Sequence, residues 1–182
     1  MVYSFVISAG STNFILALPI AIGIIVILLG VFSKKKNENT KGIKNTVYIT
    51  IGVGAAIIIT GIVLFLLLTE PYTVKIGNGY ISVLGSSIDG GSINVTSNEI
   101  ESAYLGNIAT GNLTLSVRTD GTSIGNINAG SFLLSNNAKA YVASENSTDV
   151  IIKLKGGSYL IVGNNNTDAL AAIISKNVYN IS

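Results

Sequence analysis

Glu99 and Glu101 stand two residues apart, a spacing that puts both carboxylates on one face of a β-strand. Paired carboxylates can divide general-acid and general-base work between them. Asp89, Asp120 and Asp149 adjoin turn-forming residues and read as turn formers. Arg118, the one arginine in the chain, reads as a structural partner of Asp120 or Glu101. There is no His and no Cys, which removes imidazole bases, thiol nucleophiles, disulfides and the usual zinc sites. The Gly-rich stretches GNGY, DGG, DGTSIG and KGGS lack the Gly-Lys-Ser/Thr element of a phosphate loop and read as hairpin turns. No catalytic residue, cofactor site or metal site is expected, and the chain reads as a non-enzyme.

The elements that carry these residues divide the 182-residue chain into two parts. Residues 1–70 read as a transmembrane hairpin. Its spans are FILALPIAIGIIVILLGVF, residues 14–32, and TVYITIGVGAAIIITGIVLFLLLT, residues 46–69, with no charged side chain in either. A helix rises about 1.5 Å per residue, so about 20 apolar residues cross a hydrocarbon core of about 30 Å. Between the spans, residues 33–45 hold Lys34, Lys35, Lys36, Lys41 and Lys44, five of the eleven basic residues. Lys beside a span tends to stay in the cytoplasm. The expected topology is therefore a two-span, multi-pass protein of the cell membrane with a cytoplasmic loop and both termini extracytoplasmic. The same lysines can solvate a turn or bind anionic lipid headgroups. Small residues four apart, Ala17 and Ala21 in the first span and Gly52 and Ala56 in the second, are candidate helix-packing positions. They can serve the hairpin, a homo-oligomer or a partner subunit.

Residues 71–182 read as an extracytoplasmic, mainly β-domain. It carries six basic and seven acidic residues, a near balance that leaves no electrostatic footprint for nucleic acid. YTVKIGNGYISVL places Asn78-Gly79 between two strand-like runs, a hairpin signal because both turn residues tolerate positive φ. Gly156-Gly157 predicts a second hairpin between DVIIKLK and SYLIVG. Period two in NLTLSVR predicts Leu113, Leu115 and Val117 on one face. Six to eight short strands suggest a sandwich or partly open barrel. The end changes period: Leu170, Ile173, Ile174 and Val178 share one face of a helix predicted over 167–178, with Asn166 or Thr167 as its cap.

The stretch from Arg118 through the final helix resembles the bacterial pleckstrin-homology-like domains, which often follow two N-terminal spans. The resemblance covers about Val74 to Ile174. It rests on an Arg-Thr-x-Gly element, here Arg118 to Gly121, on Gly-x-Phe, here Gly130 to Phe132, and on a strand pair followed by a helix beginning near an acidic residue. This chain carries less charge than is usual there and has no proline at the helix start. The resemblance implies a curved β-barrel closed by a helix and no defined catalytic residues.

Asn-x-Ser/Thr occurs at Asn94, Asn112, Asn146, Asn165 and Asn180, all beyond the second span, as candidate glycosylation sites of a glycoprotein. A surface of amides and hydroxyls changes little when carboxylates lose charge near pH 4. It suits an acidic exterior, and an archaeal acidophile is the expected source. The functional expectation is an accessory or structural subunit of a membrane or cell-envelope complex. Its partners would be membrane lipid and other subunits or a second copy of itself, and the external domain would make the protein contacts. The alternative is a ligand-binding or sensor module signalling through the spans.

Overall fold

The computed structural model describes residues 2–7, 13–36, 41–68, 71–85, 88–146 and 148–181. The chain forms two compact units, one of Met1–Ala9 with Glu70–Ser182 and one of Gly10–Thr69. Residues 2–7 therefore group with the β-unit.

The β-unit contains two sheets. Strands β1 (Tyr3–Ile7), β2 (Tyr72–Gly77), β3 (Tyr80–Leu84) and β4 (Ser92–Thr96) form an antiparallel sheet in chain order. Asn78 and Gly79 turn the chain between β2 and β3, with Gly79 at φ 80°. This is the predicted hairpin. β1 was not anticipated: Tyr3 to Ile7 pair without a register break with Ile76 to Tyr72.

The second sheet holds β5 (Ile100–Gly106), β6 (Leu115–Ile124), β7 (Ile127–Leu134), β8 (Lys139–Ser144), β9 (Asp149–Leu154) and β10 (Tyr159–Gly163) in the order β5-β9-β10-β8-β7-β6. β9 and β10 form the second predicted hairpin, with Gly157 at φ 82°. β10 then inserts beside β8 in parallel, so Leu160 faces Tyr141 and Ile161 faces Val142. All five residues of β10 are buried, which explains its continuous apolar run: a central strand covered on both faces has no polar side. The strands form two sheets with one parallel pair.

The larger core is shared by both sheets and by helix α3 (Thr167–Asn177). It takes Ile7, Val74, Ile76, Ile81 and Val83 from the first sheet, Ile152, Leu160 and Val162 from the second, and Leu170 and Ile174 from α3. The helix face read from the sequence holds: Leu170 and Ile174 are fully buried, and Ile173 and Val178 pack against them. Asn166 caps α3 by accepting a bond from the Ala169 amide at 3.2 Å. A smaller core lies on the other side of the second sheet, where Phe132, Leu134, Val142, Ile151 and Ile161 are covered by Ile108, Leu113 and Leu115. Val117 does not join Leu113 and Leu115. The register shifts between Leu115 and Val117, and Val117 is exposed. A bulge has moved it out of the period-two face.

The two elements that carry the family resemblance meet across β6 and β7. Gly121 pairs with Gly130, and Arg118 with Phe132. Both glycines have positive φ, 114° and 126°, beside a second register shift. Each backbone lies where the other's Cβ would be, so the pair needs glycine on both strands.

The helical unit comprises α1 (Asn13–Lys36) and α2 (Lys41–Leu68). Among the described residues, one helix segment is long and apolar enough to cross a membrane, Thr46–Val63, with mean hydropathy 2.1. The apolar stretch Leu18–Phe32 of α1 is shorter. The two helices meet at glycines. A Cβ on Gly23 would lie 2.8 Å from the Gly54 carbonyl oxygen, and one on Gly54 2.9 Å from that of Gly23. Gly30 faces Thr50 and Ile51, and Gly61 faces Pro19 and Ile20. Gly23 and Gly30, like Gly54 and Gly61, are seven apart, the repeat of two helices that follow one seam. Ala21, Gly52 and Ala56 are exposed, and nothing lies within 4 Å of a Cβ on Gly52. The Ala17 side chain lies outside those described.

Gly121→Ala is expected to lower stability by at least the roughly 1–3 kcal/mol of a disfavoured backbone conformation, because overlap with the Ala129 carbonyl adds to it. Gly125→Ala, also at positive φ but with open space, is expected to cost less. Urea midpoints of the two variants check the order; equal midpoints would contradict the close-approach argument.

Candidate functional site

The carboxylates that could have done chemistry are engaged in structure. The Glu99 Oε2 accepts from the Thr96 amide at 2.8 Å and the Thr96 hydroxyl at 2.7 Å. It closes the single 3-10 turn between β4 and β5. Those two bonds, the backbone one first, hold its pKa below the usual glutamate value. Glu101 pairs instead with Lys153 at 2.6 Å across the β5–β9 ladder, and its backbone carbonyl accepts from the Tyr179 hydroxyl at 2.9 Å. Bonding to Glu101 raises the Lys153 pKa. The expected role of Arg118 in an ion pair with Glu101 or Asp120 is not realised among the described residues; both Arg118 and Asp120 are exposed on β6. No group of three or more potential metal ligands occurs among the described residues.

Asp149 departs most from its sequence reading. It is not a surface turn former but fully buried at the start of β9. Its Oδ1 lies 2.5 Å from the Ser144 hydroxyl at the end of β8, and its Oδ2 has no hydrogen-bond partner. Burial pushes its pKa up to about 6, and the Ser144 bond opposes this. Sequence reasoning missed it because nothing local distinguishes an aspartate beside a loop from one under it. The two loops that meet here are bonded to each other. The Asn146 side-chain amide donates to the Asn164 carbonyl at 3.1 Å and to the Thr167 hydroxyl at 3.4 Å. Thr167 donates to the Thr148 carbonyl at 2.7 Å, and Asn165 donates to Glu145 at 3.2 Å. This network joins the β8–β9 connection to the start of α3.

A cleft of about 380 Å³ opens where residues 104–113 fold over the smaller core. Tyr104, Asn107, Asn112 and Leu113 line it, with Ile151 on β9. No charged side chain contributes. The Asn107 side-chain oxygen is occupied by the Ala109 and Thr110 amides, at 2.8 and 2.9 Å, which shapes the loop. Burial, with Tyr159 nearby, raises the Tyr104 pKa, so its phenol stays neutral and offers both a donor and an acceptor.

The remaining sequence candidates are dispersed. Lys34, Lys35 and Lys36 form the last turn of α1, and Lys41 and Lys44 stand in the first turns of α2. The helices thus run further into the lysine stretch than residues 33–45 suggest; the lysine side chains lie outside those described. Among the sequons, Asn94 and Asn112 are exposed, the Asn165 amide is bonded to Glu145, and Asn146 is tied into the loop network. Asn180 is exposed, while Ser182 of its sequon lies outside the described residues.

Asn146→Ala is expected to destabilise the β-domain by about 1–3 kcal/mol, since it strips partners from polar groups at a partly buried corner. Asn94→Ala and Asn112→Ala should change stability little. Thermal melting of the three variants decides between a structural and a surface role for Asn146.

No protein-family model, curated protein or solved structure matches the chain.

Proposed function

We propose that the chain is a non-enzymatic, membrane-anchored accessory or structural subunit. The α1–α2 hairpin crosses the membrane twice, and the β-domain, outside the cell, contacts other subunits of a membrane or envelope complex. One observation carries this reading: β1 precedes the helical unit, β2 follows it, and the two strands are antiparallel neighbours in one sheet. A segment that leaves a folded domain and returns to it crosses a bilayer an even number of times or not at all. An apolar α2 favours crossing, and crossing by α2 requires crossing by α1. The helix of 24 residues at α1 is about 36 Å long, enough for the hydrocarbon core. Five lysines at the connecting turn put that turn in the cytoplasm and the β-domain outside.

Two surfaces suit protein contacts. β1 is an edge strand with no charge and no bulge, and Val2, Tyr3 and Val6 are exposed. Such an edge can extend a partner's sheet. At the other sheet's edge, β6 carries Arg118, Asp120 and two register shifts, features that discourage pairing. On α2, Gly52 and Ala56 remain uncovered by α1 and offer a smooth face to another helix. The pleckstrin-homology-like assignment rests on the Arg118–Gly121 and Gly130–Phe132 elements.

The cleft beside Tyr104 favours a second reading, a module that binds a small uncharged ligand and signals through the spans. Its uncharged lining of a phenol, amides and apolar groups fits a hydroxyl-rich ring better than an ion. Titration with a panel of neutral sugars, followed by tyrosine fluorescence, should give a saturable change lost in Tyr104→Ala. A flat response across the panel would remove this reading.

The leading reading is tested by single cysteines, since the chain has none of its own. Ser4→Cys and Asn94→Cys should react with an impermeant maleimide on intact cells, and Asn39→Cys only after permeabilisation. Labelling of Asn39→Cys on intact cells would reverse the topology.

A further inference from the structure

The inner layer of the first sheet is unfinished at one edge. Tyr3 pairs with Ile76, Ile76 with Ile81, and Ile81 with Val95. The last three residues of that row are at most 1% exposed, but Tyr3 is 38% exposed. In the next row Phe5 packs against the core yet is only partly covered, while its neighbours Val74 and Val83 are enclosed. The Tyr3 and Phe5 ring centroids are 6.2 Å apart, within the range of an aromatic pair. The other face of β1 is apolar at the edge as well: Val6 is 55% exposed, and Val2, just before the strand, 59%. Ile7 differs. No part of it reaches solvent, so the edge is closed there and open from Val2 to Val6.

The other three sheet edges are guarded. β4 turns Ser92, Asn94 and Thr96 to solvent, and the Thr96 amide is already bonded to Glu99. β5 has a register shift, exposes Glu101, and gives the Glu101 carbonyl to the Tyr179 hydroxyl. β6 carries Arg118, Asp120 and two shifts. Polar and charged side chains, bulges and occupied main-chain groups all discourage strand addition. β1 has no charge and no shift.

We propose that β1 pairs antiparallel with β1 of a second copy of the chain, centred on Ser4, so that two four-stranded sheets become one. The open segment sets the register. Ser4 is the middle of Val2 to Val6, and pairing about it places Val2 opposite Val6 of the other copy and Tyr3 opposite Phe5. Opposite side chains in a ladder point to the same face, so inner layer continues into inner layer. Apolar meets apolar in every pair except Ser4 with Ser4, and no charges are brought together. This self-complementarity is what favours a second copy over a foreign strand. Two-fold pairing also uses both open edges at once, so the assembly closes; β1 on the β4 edge of another copy would instead propagate. Five residues make a short edge. Their pairing relies on the membrane anchor proposed above, which keeps copies in one plane and raises their effective concentration.

The test uses single cysteines in the full chain, in the membrane of intact cells. Opposite residues of an antiparallel pair have Cα atoms about 4.5–5.5 Å apart, within disulfide reach. Ser4→Cys should therefore give a disulfide-linked dimer under mild oxidation. It should link at least about tenfold faster than Asn94→Cys, exposed on the far edge of the same sheet. Adding Val6→Lys to Ser4→Cys should slow linking by a similar factor, since the lysine would stand against Val2 of the other copy, with the β1 amides still protected from exchange. After reduction, Ser4→Cys should take an impermeant maleimide from outside. Equal rates for Ser4→Cys and Asn94→Cys, or linking indifferent to Val6→Lys, would overturn the pairing; outside labelling would then leave the membrane reading standing. A linked product with the mass of one copy and a different protein would overturn the pairing and keep the accessory role. Labelling of Ser4→Cys only after permeabilisation would overturn the proposed topology instead, whatever the linking.

Discussion

The pairing of β1 with β2 is the constraint from which the rest follows. It joins two segments separated by the whole helical unit, and it commits the residues before α1 and those after α2 to one sheet. The pairing is anchored by burial. Ile7 is fully enclosed, Phe5 packs against the same core, and their β2 partners Tyr72 and Val74 are buried. Enclosing an isoleucine stabilises by about 1.5–3 kcal/mol, so β1 is held by packing as well as by its ladder. A helical hairpin whose two ends are fixed in neighbouring strands has a shared origin for both helices. That explains why close contact between α1 and α2, at Gly23 and Gly54, is compatible with a large insertion into the chain.

Within the β-domain, α3 does the joining work that a barrel would do by closing on itself. Its apolar face enters the core shared by both sheets, while its ends are bonded to different parts of the domain. The Tyr179 hydroxyl adds a tie to β5 just beyond the helix. A domain organised this way is sensitive at the two ends of one short helix. The start of α3 is tied to the β8–β9 connection through Thr167, which accepts from the Asn146 side chain and donates to the Thr148 carbonyl.

Much of this was readable in the chain. The turns at Asn78-Gly79 and Gly156-Gly157 carry the residues that positive φ demands, and both hairpins are present. The amphipathic face of α3 and its Asn166 cap follow from spacing alone. What was not readable is non-local. Tyr3 to Ile7 have a short alternation that means nothing until β2 provides a partner. The parallel insertion of β10 beside β8 depends on which edge is free, not on the sequence of β10. Bulges moved Val117 off its expected face, because an extra residue in one strand leaves the period of the sequence unchanged. In the helices, the α1–α2 contact uses glycines seven apart, the repeat of neighbours that follow one supercoil seam, and leaves Ala21, Gly52 and Ala56 exposed. Asp149 was misread for the most general reason: burial belongs to the fold, and a carboxyl beside loop residues looks alike in either place.

β1 is a permanent strand of the first sheet, and amide hydrogen exchange of the full chain measures that directly. The backbone amides of β1 that bond to β2 should be protected to within about tenfold of those joining β2 to β3. Exchange of the Tyr3–Ile7 amides at the rate of an unstructured peptide, with β2 and β3 still protected, would contradict it.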